Sequence, residues 1–139
     1  MLYFDASALA KRYVREKGSA KVRRLLSSDV PATSRLSAVE IASALMRRSR
    51  EGALSGKNRD RALTVLDGDL SAMVVVELSP EIVTRAQALL KRHPLRAGDA
   101  IQLASCLQLQ EGLADEPVRF VAFDARLIAA ARAEDVRVS

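Results

Sequence analysis

Cysteine, histidine and aromatic residues are scarce in this 139-residue sequence, and each scarcity removes a class of function. The one cysteine, Cys106, lies inside an apolar stretch. A disulfide framework is therefore excluded, a thiolate zinc site lacks ligands, and a reducing compartment is expected. The one histidine, His93, sits in a helix-stop segment before Pro94, a poor place for metal-free acid–base catalysis. Tryptophan is missing and aromatics make up 4% of the chain, so nucleic-acid contact cannot rest on rows of stacking rings. It would have to rest on charge and shape. No apolar run approaches the roughly 20 residues of a membrane span. Met1 leads straight into a strand-like segment with no signal peptide in view, so a cytoplasmic location is expected.

Apolar residues make up 49% and charged residues 28%, a balance that suits one globular domain over residues 1–139. The net charge of +5 favours a polyanionic partner such as nucleic acid. Many small proteins are mildly basic without such a partner, so charge alone decides little.

Leu2-Tyr3-Phe4 reads as a strand ending at Asp5, and Ala6 to Arg15 as a helix with Leu9, Tyr13 and Val14 near helical spacing. Val22, Leu25 and Leu26 mark a second short helix, and Pro31-Ala32-Thr33 a weak strand. Ser37 opens a long helix with Val39, Ala42, Leu45 and Met46 on one face, closed by Glu51-Gly52. Another helix from about Gly56 carries Ala62, Leu63, Leu66 and Leu70. Val74-Val75-Val76 predicts a buried strand. Ser79-Pro80-Glu81 starts a helix with Ile82, Val83, Ala86, Leu89 and Leu90 facing the core. Gly98-Asp99 opens the next helix, Arg119 to Phe123 is a strand ending at Asp124, and a short helix and a last strand at Val136–Val138 follow. Strands alternate with helices and no hairpin signal interrupts them. This predicts a parallel sheet of four or five strands with helices on both faces.

Four of the 17 acidic residues share a position type. Asp5 and Asp124 directly follow strands, while Glu40 and Asp99 lie in first turns of helices. Ligands of open parallel sheets bind beyond the carboxyl ends of the strands, at a topological switch point. Each acid taken singly also suits a helix cap: Ser37-Ala38-Val39-Glu40 fits a capping box, and Asp99-Ala100-Ile101-Gln102 resembles one. As a set they differ from other acids, because all four sit among apolar neighbours, whereas Asp60, Glu111 and Glu134 sit among polar ones. Clustered carboxylates repel one another and are tolerated when a hard cation such as Mg²⁺ or Mn²⁺ joins them. A pair of such ions activates water and stabilises the leaving oxygen in phosphodiester cleavage. Lys11, Arg12, Arg96 and Arg126 lie close to the acids in sequence and are candidate phosphate holders.

These segments resemble the motifs of PIN domains. Tyr3-Phe4-Asp5-Ala6-Ser7-Ala8-Leu9 is similar to their opening motif and Ser37-Ala38-Val39-Glu40-Ile41 to their second. The third and most specific is matched by Leu95-Arg96-Ala97-Gly98-Asp99-Ala100-Ile101-Gln102-Leu103-Ala104, and the fourth by Phe120 to Leu127. The short single-domain form resembles VapC-type toxins of toxin–antitoxin pairs. The resemblance implies a three-layer α/β/α fold and a Mg²⁺- or Mn²⁺-dependent endoribonuclease. It implies Asp5, Glu40, Asp99 and Asp124 as metal-holding catalytic residues, with Ser7 supporting Asp5 from behind. It also implies an RNA substrate, a homodimer and a VapB-type antitoxin. Gln102 stands where many relatives carry His, and Ala122 where Thr or Ser is common, which weakens the expected support around Asp124.

Competing readings fit less well. A phosphoacceptor receiver domain needs adjacent acids after the first strand and a late lysine, but the last lysine is Lys91. A haloacid-dehalogenase-type phosphatase needs Asp-x-Asp, and position 7 is Ser7. A catalytically silent RNA- or partner-binding PIN domain remains the alternative, against which the four retained acids stand.

Overall fold

The computed structural model describes all 139 residues. In chain order the elements are β1 (Leu2–Phe4), α1 (Ala6–Ala10), α2 (Ser19–Leu26), β2 (Pro31–Ser34), α3 (Leu36–Arg50) and α4 (Gly56–Ala72). Then come β3 (Val74–Val76), α5 (Pro80–Arg92), α6 (Ala97–Gly112), β4 (Arg119–Val121), α7 (Ala125–Ala133) and β5 (Arg137–Val138). The five strands are ordered β3-β2-β1-β4-β5, and every pairing is parallel. The expected three-layer α/β/α architecture is present. No helix is long and apolar enough to cross a membrane.

The central strand explains the layering. Side chains alternate across a strand, so Leu2 and Phe4 face one side and Tyr3 the other. Leu2, Phe4 and Val121 pack with Leu9, Val22, Ile41, Leu45, Leu66 and Leu70, contributed by the first four helices. Tyr3 and Phe120 pack on the opposite face with Ile82, Leu89, Leu103 and Leu127 of the last three. The Tyr3 and Phe120 rings stack with centroids 5.7 Å apart. After β1 the chain builds β2 and β3 on one side, then crosses to place β4 on the other. The carboxyl ends of β1 and β4 therefore flank the switch point; Asp5 follows β1 directly, whereas the strand predicted over Arg119–Phe123 ends at Val121, so Asp124 lies beyond Ala122 and the exposed Phe123, at the start of α7.

Several expectations need correction. The helix predicted over Ala6–Arg15 ends at Ala10. Beyond it Lys11, Arg12 and Tyr13 donate their N–H groups three residues back, to Ala8, Leu9 and Ala10, in tight turns. Val74-Val75-Val76 is an edge strand rather than a buried one, and Val74 is exposed. On α3 the core face is Ile41 and Leu45, whereas Val39 and Met46 point outward. On α5 the core face is Ile82, Ala86 and Leu89, with Val83 and Leu90 exposed. In both helices the apolar stripe is wider than the strip that the sheet covers, so its edges remain in solvent.

This placement is testable by paired truncation on α5. Ile82→Ala should destabilise the fold by about 2–5 kcal/mol, because it opens a cavity in a fully packed layer. Val83→Ala should stay within about 0.5 kcal/mol of the native protein. Urea midpoints at constant slope would measure both, and equal losses would contradict the assigned face.

Candidate functional site

Asp5 is held in place by its backbone surroundings. Its N–H donates to the Val121 carbonyl (3.2 Å), fixing it between the ends of β1 and β4. Its Oδ1 accepts from the Ala8 N–H (2.8 Å), capping α1. The residue is 2% exposed. Burial pushes its carboxyl up to about 7, against the Ala8 bond; the charges of Asp99 and Glu40 add to the rise and the Ser7 hydroxyl opposes it. Ser7 itself is exposed and lines the same opening. Glu40 and Asp99 are also raised, each first by burial. For Glu40 the Gln102 amide opposes the rise and Asp99 adds to it. For Asp99 the Arg96 charge opposes it, Asp124 adds to it, and the Arg96 backbone N–H opposes it.

Asp5, Glu40 and Asp99 share one cleft of about 620 Å³. Asp124 does not line it. Asp124 caps α7 by accepting from the Leu127 N–H (3.0 Å) and opens into an adjoining recess of about 400 Å³, shared with Asp99, Arg96 and Arg126. Asp99 thus lies on the boundary between the two spaces. No three of these side chains are drawn into a closed metal cage. Mg²⁺ does not require one, since it is commonly held through one or two carboxylates and keeps several waters. The donors are all carboxylate oxygens, the chemistry a hard cation prefers, and the buried Asp5 has no cationic side chain among its partners. Asp5, Glu40 and Asp99 are the ligands available to an ion in the cleft, and Asp99 with Asp124 to one in the recess.

A buried polar chain positions Glu40. The Tyr3 hydroxyl donates to Gln102 Oε1 (2.9 Å). Gln102 Nε2 donates to Ser37 Oγ (3.0 Å) and to Glu40 Oε2 (3.2 Å). The Thr33 hydroxyl donates to the Phe4 carbonyl (2.8 Å), so the 2.7 Å contact between Ser37 and Thr33 must use the Ser37 proton. Ser37 is therefore no helix cap: α3 starts at Leu36, and its N-cap residue Arg35 makes no side-chain cap bond. The capping-box reading of Glu40 fails on this point. Gly98 completes the fit, because a Cβ there would overlap Glu40 Oε1. Sequence patterning singled out Gln102 only as a departure from relatives and gave no sign of the roles of Tyr3 and Thr33.

The four candidate phosphate holders separate. Arg96 lines both cleft and recess and is extended into solvent, with only a loose 3.8 Å approach to Asp99. Arg126 lines the recess. Arg12 is bound by Asp69 through Nε (2.6 Å) and Nη2 (3.1 Å) and lines neither space. Lys11 donates to Glu16 (3.1 Å) and to the Lys17 carbonyl (2.9 Å), with its ammonium 4.7 Å from the Phe123 ring centre. Two cations that sequence proximity missed, Arg47 and Arg48, line the cleft from α3. His93 is engaged by Glu134 (2.6 Å), and Cys106 is fully buried, its thiol pushed up to about 12 by that burial.

A family model described as PIN domain matches residues 2–133. A protein named Ribonuclease VapC45, from Mycobacterium tuberculosis, is 31% identical over 140 residues, spanning 100% of this chain and 94% of its own length. Ribonuclease VapC47 of the same organism is 29% identical over 137 residues, covering 95% of this chain and 90% of its own. Among solved structures, VapC20 of M. tuberculosis, titled a sarcin-ricin loop cleaving toxin, superposes with a TM-score of 0.69 at 20% identity over 94% of this chain and 95% of that one. VapBC2 from Rickettsia felis, bound to a fragment of promoter DNA, gives 0.67 at 11% identity over 100% and 98%. At these identities the structural matches establish the shared fold.

Gly98→Ala should leave the fold intact, since the clash falls on the flexible end of one side chain, yet displace the Glu40 carboxylate. The expected outcome is a native melting temperature with a weakened response to added Mn²⁺; an unchanged Mn²⁺ response would show that Glu40 has no part in binding. A second prediction follows from Asp5. Its folded value near 7 lies above its ordinary 3.8, so in between the folded protein holds a proton that the unfolded chain has released. This contribution to stability is complete below about pH 4 and is lost as pH rises through 7; Glu40 and Asp99 act in the same direction. In EDTA the melting temperature should therefore fall between pH 5 and 8, an interval set by that raised value. Asp5→Asn, which can still cap α1, should flatten the fall. A variant that tracks the native protein across this interval would contradict the assignment.

Proposed function

Because the chain belongs to the PIN-domain family, we propose that it is an endoribonuclease, that its activity depends on Mg²⁺ or Mn²⁺, and that it is the toxin of a type II toxin–antitoxin pair. The observation that carries this reading is the meeting of Asp5, Glu40 and Asp99 in one cleft, with Asp124 across the Asp99 boundary. Asp5, Glu40, Asp99 and Asp124 would hold a divalent ion, which would supply positive charge to the phosphodiester and lower the pKa of an attacking water. The residues of the chain do the remaining work. Gln102 orients the Glu40 carboxylate and favours its ionised form against burial, the Ala8 N–H does the same for Asp5, and Arg96 and Arg126 offer guanidinium groups to the RNA backbone at the edge of the recess. The names of the curated relatives support ribonuclease chemistry.

The partner belongs to the same proposal. Related folds have been solved as toxin–antitoxin assemblies, including one from Klebsiella pneumoniae at a TM-score of 0.64 and 18% identity. We take a VapB-type antitoxin as the partner, with a basic side chain near its carboxyl end pairing with the carboxylates in place of metal. A homodimer acting in the cytoplasm completes the proposal.

Cleavage of a panel of structured RNAs with Mg²⁺, with Mn²⁺ and in EDTA tests it. Activity should require the divalent ion, and full cleavage in EDTA would end the reading. Asp99→Asn keeps size but removes a charge at the boundary between cleft and recess. It should slow cleavage by about a hundredfold or more, because misplacement of the reacting groups is costly on that scale.

A further inference from the structure

The cleft extends well beyond its carboxylates, and its two walls run in the same direction. On α3, Glu40 is followed by Ala44 one turn on and by Arg47 and Arg48 after a second turn, all lining the same space. Seven residues of helix put Arg47 about 10 Å along the axis from Glu40. The opposite wall begins at Asp5 and Ser7, continues through Ala10 and Val14, and ends at Glu16. Glu16 meets Arg48 directly, which closes the far end and fixes the direction of both walls. Glu16 also accepts from Lys11 (3.1 Å), so this one acid is shared by two cations. Arg47 is exposed and has no carboxylate partner. The far end is thus cationic, the near end carries the carboxylates with Arg96 beside Asp99, and the stretch between them is mostly apolar, broken by the exposed Ser43. Val39, 67% exposed, lines the cleft at its carboxylate end, one residue before Glu40.

We propose that Arg47 holds a backbone phosphate of the RNA strand at the far end of the cleft while the carboxylate end engages the phosphate to be cut. This rests on the ribonuclease reading and extends it. A polynucleotide alternates anionic phosphates with flat, largely apolar sugar and base surfaces, and the cleft offers the complementary order. The apolar stretch takes the intervening nucleotide by surface contact, as it must in a chain with so few aromatic rings. Arg47 makes no contact with the reacting atoms and is a positioning residue. The ion pair between Arg48 and Glu16 keeps the acid from repelling the strand and leaves the unpaired charge on Arg47.

Binding of a short fluorescein-labelled single-stranded RNA, followed by anisotropy with Mg²⁺ present in an Asp99→Asn background that suppresses cleavage, tests the inference. Arg47→Ala should weaken binding roughly tenfold at low salt. It should also reduce the slope of log K against log salt by about one between about 50 and 200 mM, as expected when a single phosphate contact is lost. Lys91→Ala removes an equal charge from the exposed end of α5 and should change neither quantity. In the otherwise native protein, Arg47→Ala should raise KM with kcat nearly unchanged, and Arg47→Lys should recover most of the loss. Binding and slope that match the parent would overturn the inference, even if cleavage proceeds normally, and would leave the far end to a protein partner. Loss of binding with no cleavage under any metal would uphold Arg47 while refuting the nuclease reading, so the two failures are separable.

Discussion

The amide of Gln102 is the point on which the site depends. Its oxygen accepts from Tyr3 on the central strand, and its nitrogen donates both to Ser37 and to Glu40 on α3. Through Ser37 and Thr33 the chain of bonds continues to the carbonyl of Phe4, immediately before Asp5. One side chain on α6 thus ties β1, β2 and α3 together beneath the cleft. The direction of every proton in the chain is determined, because Thr33 has one hydrogen and gives it to Phe4. With the amide reversed, an oxygen would face a carboxylate inside a weakly polarisable interior, a costly arrangement. A polar group that reads as an ordinary helix residue in the sequence therefore sets where Glu40 stands.

The acids of the molecule divide by what surrounds them. Asp69, Glu77, Glu111 and Glu134 each meet an arginine and are lowered, with the arginine bond foremost for the last three and opposed by burial for Asp69. Asp5, Glu40 and Asp99 are raised, first by burial, then by neighbouring carboxylates: Asp99 and Glu40 for Asp5, Asp99 for Glu40 and Asp124 for Asp99. Structural ion pairs and the candidate cluster so shift in opposite directions on one surface, and in the cluster only Arg96 approaches a carboxylate, loosely, at Asp99. On a chain of net charge +5, these carboxylates stand in a setting that draws polyanions toward them.

Much of this was legible in the residues. Asp5 and Asp124 announce themselves by following apolar runs, and the parallel sheet follows from strands that never turn back on themselves. Other features were not legible, for physical reasons. Apolar spacing marks a stripe on a helix but not which edge of the stripe meets the sheet, so Val39, Met46, Val83 and Leu90 read as core and lie outside it. The end of α1 at Ala10 carries neither glycine nor proline, and Tyr13 and Val14 continue the helical spacing through the turns. Arg47 and Arg48 went unmarked in the sequence because basic residues are ordinary in the last turn of a helix, and only the folded walls show that they line the same cleft as Glu40. Arg12 is the reverse case, near Asp5 in sequence and taken by Asp69 in space.

The order of the strands has a consequence for how the protein comes into being. The central strand is made well before its partner β4, which begins only at Arg119, after β2, β3 and six helices. Until that segment has left the ribosome, β1 lacks a neighbour on one side and the Asp5 N–H lacks the Val121 carbonyl that fixes it. Asp5, Glu40, Asp99 and Asp124 come from four successive parts of the polypeptide, so a nascent fragment that stops short of Asp124 lacks part of the constellation. Parallel pairing between distant segments is also slow to form, because a long loop must close before contacts reward it. A growing chain therefore carries its carboxylates dispersed while it remains beside ribosomal RNA, and the cleft and its adjoining recess are both lined only once β4 and Asp124 have been made.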